Sequence, residues 1–413
     1  MKILICGMNY VPELTGIGKY SGEMAEWFAQ RGHEVRVVTA PPYYPEWKVH
    51  ADYSSIFYRF EEINGVGIWR CPVYVPRQPT GLKRIVHLLS FALSSLPIIL
   101  RYAFWRPDVV LAIEPPLFCA PAAWLTGRLS GAKCWLHVQD FEVDAAFALG
   151  LLSSAGMQKH LRSVEGWLMR RFDGVSSISE KMVQRLGQRG IPSQSAVLFR
   201  NWSDLEHMRC DPDGAATFRL KHQLGEDTKL ALYAGNMGEK QGLRLLLEAA
   251  ESLRHEDIYF VLCGEGSARK QLIARAENLD NVMFLDLQPI SLFRAMLSAA
   301  DVHLVVQRAD AADLVMPSKL TNIMAVGGRS IVTSTVDSEL GCLFTEHPYL
   351  GELSQPGSAE GFIACLKSVL EQPASKNRQA IRAYAEQHLA KEVILQGFEN
   401  ELVKLSELAG DED

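Results

Sequence analysis

The clearest chemical signal in the sequence is a serine and a lysine directly behind a proline, Pro317-Ser318-Lys319. They follow an apolar run at residues 302–306 and a polar segment at residues 307–313. This order predicts a buried strand, a loop at its carboxyl end, and a helix that begins behind the proline. Unpaired N–H groups and the positive end of the helix dipole attract anions at such a helix start. The segment therefore predicts a site for an anionic ligand, with a phosphate as the first hypothesis.

Two other loops of the second half follow predicted strands in the same way. Residues 230–242, LALYAGNMGEKQG, place Gly235 and Asn236 behind a strand and Lys240 at the start of a helix. Residues 261–266, VLCGEG, repeat the strand-to-glycine pattern. Because the carboxyl ends of parallel strands meet at one edge of a sheet, the three loops together predict a phosphate-lined pocket. Lys240 would reach a phosphate as a point charge, and a solvated surface lysine is the alternative.

A glycine loop also follows the first predicted strand. Residues 9–20, NYVPELTGIGKY, place Gly16 and Gly18 before an amphipathic helix, where backbone could approach a ligand closely. A dinucleotide fingerprint is excluded because the third glycine and the ribose-binding acid are missing. A Walker A loop is excluded because Glu13 and Tyr20 stand where it needs glycine and Ser or Thr. A generic ligand-binding glycine turn remains.

A histidine and three carboxylates cluster at residues 135–144, WLHVQDFEVD. His137 lies near the carboxyl end of a predicted strand, and Asp140, Glu142 and Asp144 follow it. The imidazole could hydrogen-bond a polar substrate, with a carboxylate orienting its ring. A hydrogen-bonded core histidine is the alternative. The carboxylates match no metal-binding loop signature, so we expect no bound metal of structural importance.

The pattern of strands predicts two α/β domains. A chain of 413 residues is long enough for two cores, and a polar stretch at residues 200–225 interrupts an alternation of strand-like and helical runs. We predict one domain at 1–203, a second domain at 204–375 and closing helices at 376–413. Both domains are expected to be doubly wound and to face each other across a cleft. The predicted strands are residues 3–6, 35–39, 68–72, 109–113, 134–138, 174–178, 230–234, 258–263, 282–285, 302–306 and 330–333.

The most apolar run, residues 85–100, is flanked by Lys83, Arg84 and Arg101. It is too short, and too interrupted by Pro97, to predict a transmembrane span. As a helix it is either buried or lies in a membrane interface with its basic flanks on lipid headgroups.

The charge and the cysteines indicate where the protein works. Residues 1–200 contain 22 Lys and Arg and 16 Asp and Glu, which leaves 20 and 32 for residues 201–413. A basic first half suits an anionic membrane surface, and scattered surface charge is the alternative. The eight cysteines lie in no CxxC or metal spacing, as in reduced cytosolic proteins. No secretory signal is recognised at the start, so we expect a cytoplasmic protein.

Four strings together resemble glycosyltransferase family 4: NYVPELTGIGKY, HVQDFEVD, YAGNMGEKQG and VMPSKLTNIMAVGG. The family contains retaining, nucleotide-sugar-dependent enzymes of the GT-B fold, with two Rossmann-like domains. The resemblance implies that the domain at 1–203 binds the acceptor and that the domain at 204–375 binds the nucleotide sugar. Within it the chain is most similar to fucosyltransferases of colanic acid biosynthesis. The resemblance implies transfer of fucose from GDP-fucose to a polyprenyl-diphosphate-linked saccharide on the inner face of the cytoplasmic membrane. It implies no cofactor and no nucleic acid partner.

The resemblance also implies the roles of particular residues. Catalytic roles fall on His137, Asp140 and Lys240. The nucleobase would lie near Leu285, Leu287 and Gln288. Donor contacts fall on Gly16, Gly18, Gly235, Asn236, Lys240, Asp310, Asp313, Ser318, Lys319, Leu320 and Asn322.

The chain departs from the family at three positions. Many members carry a basic residue where this chain has Asn236, and glutamates where it has Leu314 and Asn322. The alternatives are therefore a transferase for another sugar, a nucleotide-sugar epimerase, or a catalytically silent partner that binds nucleotide.

Overall fold

The computed structural model describes residues 1–13, 16–78, 81–144, 155–308 and 317–407. The chain divides into two compact units, here called the first and second domains. The first comprises Met1–Arg200 together with Leu395–Asp413, and the second comprises Asn201–Ile394. The tail predicted as separate closing helices is therefore shared between the two domains.

The first domain contains an eight-stranded sheet in the order β3-β4-β2-β1-β5-β6-β7-β8. Every pair is parallel except β3 with β4. The strands are β1 Lys2–Cys6, β2 Glu34–Thr39, β3 Arg59–Ile63, β4 Val66–Arg70, β5 Val109–Glu114, β6 Lys133–Val138, β7 Gly174–Ser177 and β8 Ala196–Leu198. The described helices are α1 Gly16–Gln30, α2 Gly81–Arg101, α3 Ala120–Ser130, α4 Ala155–Met169 and α5 Glu180–Gln188.

The second domain contains a six-stranded parallel sheet in the order β11-β10-β9-β12-β13-β14. Its strands are β9 Lys229–Ala234, β10 Ile258–Cys263, β11 Val282–Leu285, β12 Val302–Val305, β13 Ser330–Thr333 and β14 Gly351–Ser354. Its described helices are α6 Pro212–Lys221, α7 Arg244–Ser252, α8 Arg269–Arg275, α9 Ile290–Ala299, α10 Ser318–Ala325, α11 Glu339–Glu346, α12 Ala359–Leu370 and α13 Arg378–His388. The last helix, α14 Lys391–Glu407, begins in this domain and continues into the first.

Both sheets are buried on two faces, as parallel sheets require. In β9, Leu230 and Leu232 pack into one apolar cluster, and Ala231 and Tyr233 pack into another on the opposite face. Two doubly wound, Rossmann-like domains confirm the predicted fold class. Each predicted strand overlaps an observed one.

Three strands were missed, one because it is largely polar and two because they are very short. β3 is polar and largely exposed, and it pairs with β4 through a turn in which Asn64 and Gly65 have φ values of 51° and 80°. Asn-Gly is the expected dipeptide for a two-residue hairpin, so a signal was present in the sequence. β8 and β14 have only three and four residues.

Two glycine loops of the second domain pack backbone against backbone. Gly264 has a φ of 142°, and a Cβ atom there would lie 1.9 Å from the carbonyl oxygen of Gly235. The amide of Gly235 donates to the carbonyl of Cys263 at 2.9 Å. The loops that follow β9 and β10 therefore form one unit that admits only glycine at this contact.

We predict that Gly264→Ala destabilises the protein by roughly 2 kcal/mol or more, because backbone must move to admit the methyl group. Gly187→Ala is the matched control, since a Cβ atom at Gly187 in α5 meets nothing within 4 Å. It should be neutral or stabilise by about 0.5 kcal/mol. Chemical denaturation measures both, and equal midpoints for the two variants would contradict the packing described.

Candidate active site

The candidate anion site of the second domain is built around Lys319, in the first turn of α10. Its ammonium lies 4.2 Å from the centre of the Tyr233 ring and donates to the Tyr233 hydroxyl at 3.2 Å. That hydroxyl donates in turn to the carbonyl of Asn236 at 2.6 Å. A Cβ atom built on Gly235 would lie 3.4 Å from the ammonium. The structure therefore brings together the lysine behind the proline and the glycine loop behind β9, as the sequence predicted.

Burial changes the charge of this lysine. Desolvation lowers the pKa of Lys319 from 10.5 to about 7, because the ammonium loses water on burial. The ring of Tyr233 offsets part of this cost through a cation–π contact. An anion that binds beside Lys319 would therefore stabilise the protonated form of this lysine.

The start of α10 adds a second attraction for anions. Its N-cap is Pro317, and among the described residues no side chain hydrogen-bonds to this helix end. The amide of Leu320 donates to the carbonyl of Pro317 at 2.9 Å. The N–H groups of Ser318 and Lys319 precede it in the first turn, where backbone N–H groups and the helix dipole favour negative charge.

Two predicted donor contacts have structural roles instead. Leu320 is fully buried in the apolar core of the second domain. Asn322 accepts a hydrogen bond at its Oδ1 from the hydroxyl of Ser203 at 3.0 Å. The asparagine that replaces a family glutamate thus holds the segment that begins the second domain.

Several predicted residues lie outside what the structure describes. Asp310, Asp313 and Leu314 fall within residues 309–316, which are not described. Lys240 belongs to the short 3-10 helix Glu239–Gln241, but its side chain is not described. The same holds for the Ser318 side chain.

The predicted nucleobase residues lie at the end of the edge strand β11. Leu285 is its last residue, and its carbonyl accepts the amide of Gly264 at 3.0 Å. Leu287 is 70% exposed. The Gln288 side chain donates to the carbonyl of Asp286 at 2.8 Å. An exposed apolar side chain therefore adjoins the glycine loops.

His137 lies in β6 of the first domain and is buried. Its Nδ1 pairs with the Ser176 hydroxyl at 3.0 Å, and that hydroxyl also accepts from the Trp135 indole at 2.8 Å. Desolvation lowers the pKa of His137 to about 3, so the ring is neutral near pH 7. A serine, and not the expected carboxylate, orients the ring. His137 can take part in a hydrogen bond there but cannot supply a proton from an imidazolium.

The carboxylates beyond β6 belong to an acidic cluster. Asp140 is partly exposed, and burial raises the pKa of the neighbouring Glu142 to about 7. Glu114, at the end of β5, is fully buried, and among the described residues neither carboxyl oxygen has a hydrogen-bond partner. Its burial, and next the charge of Glu165, raise the pKa of Glu114 well above its ordinary value. Sequence reasoning missed Glu114 because nothing local distinguishes it.

The first glycine loop is shaped by a buried glutamate. One carboxylate oxygen of Glu13 accepts the amides of Tyr43 and Tyr44, both at 3.0 Å. A Cβ atom on Gly18 would lie 2.7 Å from the other oxygen. Gly16 has a φ of 63° at the start of α1. Gly18 is therefore required for packing against Glu13, and the predicted donor contacts of both glycines stay predictions.

Metal binding has no support in the described residues, where no group of three or more His, Cys, Asp or Glu side chains could hold an ion.

Family models match both halves of the chain. A glycosyl transferase 4-like domain matches residues 15–202, and glycosyl transferases group 1 matches residues 215–388. The chain is 44% identical over 409 residues to a protein of Escherichia coli (strain K12) provisionally named colanic acid biosynthesis glycosyl transferase WcaI. The match covers 97% of this chain and 100% of that protein.

Solved structures share the fold. The chain is similar to Anabaena Alr3699/HepE in complex with UDP, with a TM-score of 0.73 at 13% identity, over 98% of this chain and 100% of that one. It is also similar to sucrose-phosphate synthase from Thermosynechococcus elongatus, with a TM-score of 0.72 at 16% identity, over 98% and 99% of the two chains. These likenesses confirm the predicted GT-B fold.

We predict that Lys319→Met changes how stability depends on pH. Between about pH 7 and the ordinary pKa of 10.5, unfolding lets Lys319 bind a proton, so the cost of burying this lysine in the folded state falls as pH rises. The unfolding free energy of the wild type minus that of the variant should rise by up to about 1.4 kcal/mol per pH unit.

Urea unfolding of both proteins between about pH 7.5 and 9 measures this difference. The contributions of the other titrating groups are the same in both proteins and cancel in the difference. Lys270→Met, at an exposed lysine of the same domain, is the control and should leave the slope unchanged. A pH-independent difference for Lys319→Met would mean that the ammonium is not desolvated.

Proposed function

The chain belongs to glycosyltransferase family 4, and from this premise we propose that it is a retaining enzyme that transfers fucose from GDP-fucose. The acceptor in this proposal is a saccharide on a polyprenyl diphosphate, used to assemble an exopolysaccharide of the colanic acid type. Glycosyltransferase function itself follows from both family models and from the full-length match to a colanic acid biosynthesis protein. Fucose and the lipid-linked acceptor are what we propose beyond that function.

The observation that carries the donor part is the Lys319 ammonium beside Gly235. A cation on a tyrosine ring, at the start of a helix and next to a glycine loop, suits a diphosphate. Asn236 is exposed on that loop and could hydrogen-bond the same group. The exposed Leu287 offers an apolar surface to a nucleobase.

This arrangement supports a particular chemistry. A nucleoside diphosphate leaves as an anion, so catalysis mainly requires stabilisation of that charge as the sugar carbon becomes oxocarbenium-like. Lys319 supplies a desolvated positive charge for this purpose. Attack from the same face, with the departing phosphate accepting the proton of the acceptor hydroxyl, retains the configuration without a carboxylate nucleophile. Assistance from His137, Asp140 and Lys240 remains part of the proposal.

We propose further that the enzyme sits peripherally on the inner face of the cytoplasmic membrane through α2. The segment Gly81–Trp105 is long and apolar enough to span a membrane by length and composition, and 22% of its most apolar window is buried. Phe91 and Ile99 are fully buried, so one side of α2 is packed against its own domain. Leu82 and Leu93 on the other side are 73% and 70% exposed. A helix that is packed against its own domain along one side is better suited to lie on the membrane than to cross it.

We predict that Lys319→Ala abolishes most transfer from GDP-fucose, lowering the rate by about 100-fold or more, because the leaving diphosphate loses its desolvated cation. Release of GDP in the presence of a lipid-linked acceptor measures the rate. Protection against thermal unfolding by GDP measures binding and should weaken in the same variant.

Lys270→Ala is the control and should behave as wild type. Normal rates for Lys319→Ala would reject the diphosphate site. Thermal protection of the wild type by another nucleotide sugar, but not by GDP-fucose, would reject the donor assignment and leave the transferase class intact.

We predict that Leu82→Ser with Leu93→Ser weakens sedimentation with vesicles of anionic phospholipid by at least about tenfold, since each leucine contributes apolar area to the contact. Leu220→Ser is the control, because this leucine is 82% exposed on α6 of the second domain. Unchanged sedimentation of the double variant would reject α2 as the membrane contact.

A further inference from the structure

We propose that a cavity beside α2 in the first domain binds the diphosphate and the first sugar of the lipid-linked acceptor, with the lipid lying along the exposed side of α2. The inference rests on the proposed function, since it gives that acceptor a site. The cavity has a volume of about 940 Å³. It is lined by the loop that follows β2, by the segment that follows β4, and by two serines of α2.

The position of the cavity in the fold favours ligand binding. β2 and β4 are parallel neighbours, so the segments that follow them leave the same edge of the sheet. Ligands of doubly wound sheets bind beyond the carboxyl ends of the strands. The cavity lies on that edge, and all of its lining residues belong to the first domain.

Three sides of α2 have three different surroundings. His87, Phe91, Ser95 and Ile99 recur every four residues and are buried. The exposed stripe lies on the opposite side of the helix at about 100° per residue. Ser90 and Ser94 lie between these two sides and line the cavity. The cavity therefore opens beside the exposed stripe, which consists of Leu82, Ile85, Val86, Leu89, Leu93 and Leu96.

The lining combines an aromatic wall with cations. Trp47 lines the cavity, and its ring lies 5.1 Å from the ring of His87. It has a φ of 53°, an uncommon conformation for a non-glycine residue. A fixed, partly exposed indole offers a flat apolar face for a sugar ring. The lining includes the exposed cations Lys48 and Arg77 and the carboxylate Glu46.

The charged side chains of the cavity and the apolar stripe beside it together indicate one kind of ligand. Lys48 and Arg77 are suited to the diphosphate, where arginine can bind phosphate oxygens through two N–H groups. Glu46 can accept hydrogen bonds from sugar hydroxyls. The leucine stripe next to the opening suits a polyprenyl chain. A sugar, a diphosphate and a long hydrocarbon occur together in a polyprenyl-diphosphate-linked saccharide.

Farnesyl diphosphate can test the site as a short lipid diphosphate. Binding is measured by isothermal titration with saturating GDP present, so that the Lys319 site is filled. We expect the wild type to bind farnesyl diphosphate, and Lys48→Ala with Arg77→Ala to weaken that binding by at least about tenfold. Arg128→Ala with Lys159→Ala removes two exposed cations elsewhere in the first domain and should have no effect.

A second arm separates the lipid from the phosphate. Leu89→Ser should weaken binding of farnesyl diphosphate but leave binding of inorganic pyrophosphate unchanged. Equal binding of farnesyl diphosphate by the wild type and the double cation variant, or no binding by the wild type, would overturn the inference. In either case, normal GDP binding and transfer would leave the proposed function standing. Failure of the wild type to bind GDP would instead count against the proposed function.

Discussion

The candidate anion site of the second domain lies at the carboxyl ends of its strands, here called the ligand edge. It depends on a lysine ammonium that lies against the face of a tyrosine ring. Placing Lys319 on Tyr233 removes water from a charge, and a cation–π contact offsets only part of that cost. Desolvation lowers the pKa of Lys319 to about 7. An anion that arrives at this edge therefore meets a lysine that folding has already largely desolvated, and its negative charge favours the protonated form of that lysine.

The backbone beside this lysine packs closely because three of its residues carry no side chains. Gly235 lies beside the ammonium, and Gly264 packs directly on the carbonyl of Gly235. A third glycine, Gly266, has a φ of 155° and would place a Cβ atom 2.5 Å from the carbonyl of Met237. The strand ends of β9 and β10 can therefore approach each other and leave their ligand edge open.

Local patterns predicted much of this fold, and long-range contacts account for most of what they missed. Branched apolar runs located the central strands because parallel strands are buried on both faces. Pro317 and the following lysine located the start of α10. No local pattern indicated Tyr233, because its partner lies 86 residues away along the chain. Leu320 was assigned to the ligand from its position in a string, whereas its side chain belongs to the core.

In the first domain, too, residue type suggested a role for a side chain and its surroundings changed that role. A histidine at a strand end suggested acid–base chemistry, yet burial beside Ser176 keeps His137 neutral. Gly18 suggested close approach of a ligand, yet the nearest atoms belong to Glu13. Composition and spacing drew attention to these positions, while dielectric environment and packing decide what their side chains can do.

The two apolar sides of α2 have a consequence for the protein in dilute solution. One side of this helix is packed in the domain, and the leucines on its other side are exposed to water. These leucines form an apolar patch that another copy of the chain can also cover. The net charge of −6 opposes such association only over a short range at physiological salt. This helix is therefore one surface through which the purified protein can self-associate, and detergent or lipid should suppress association through it.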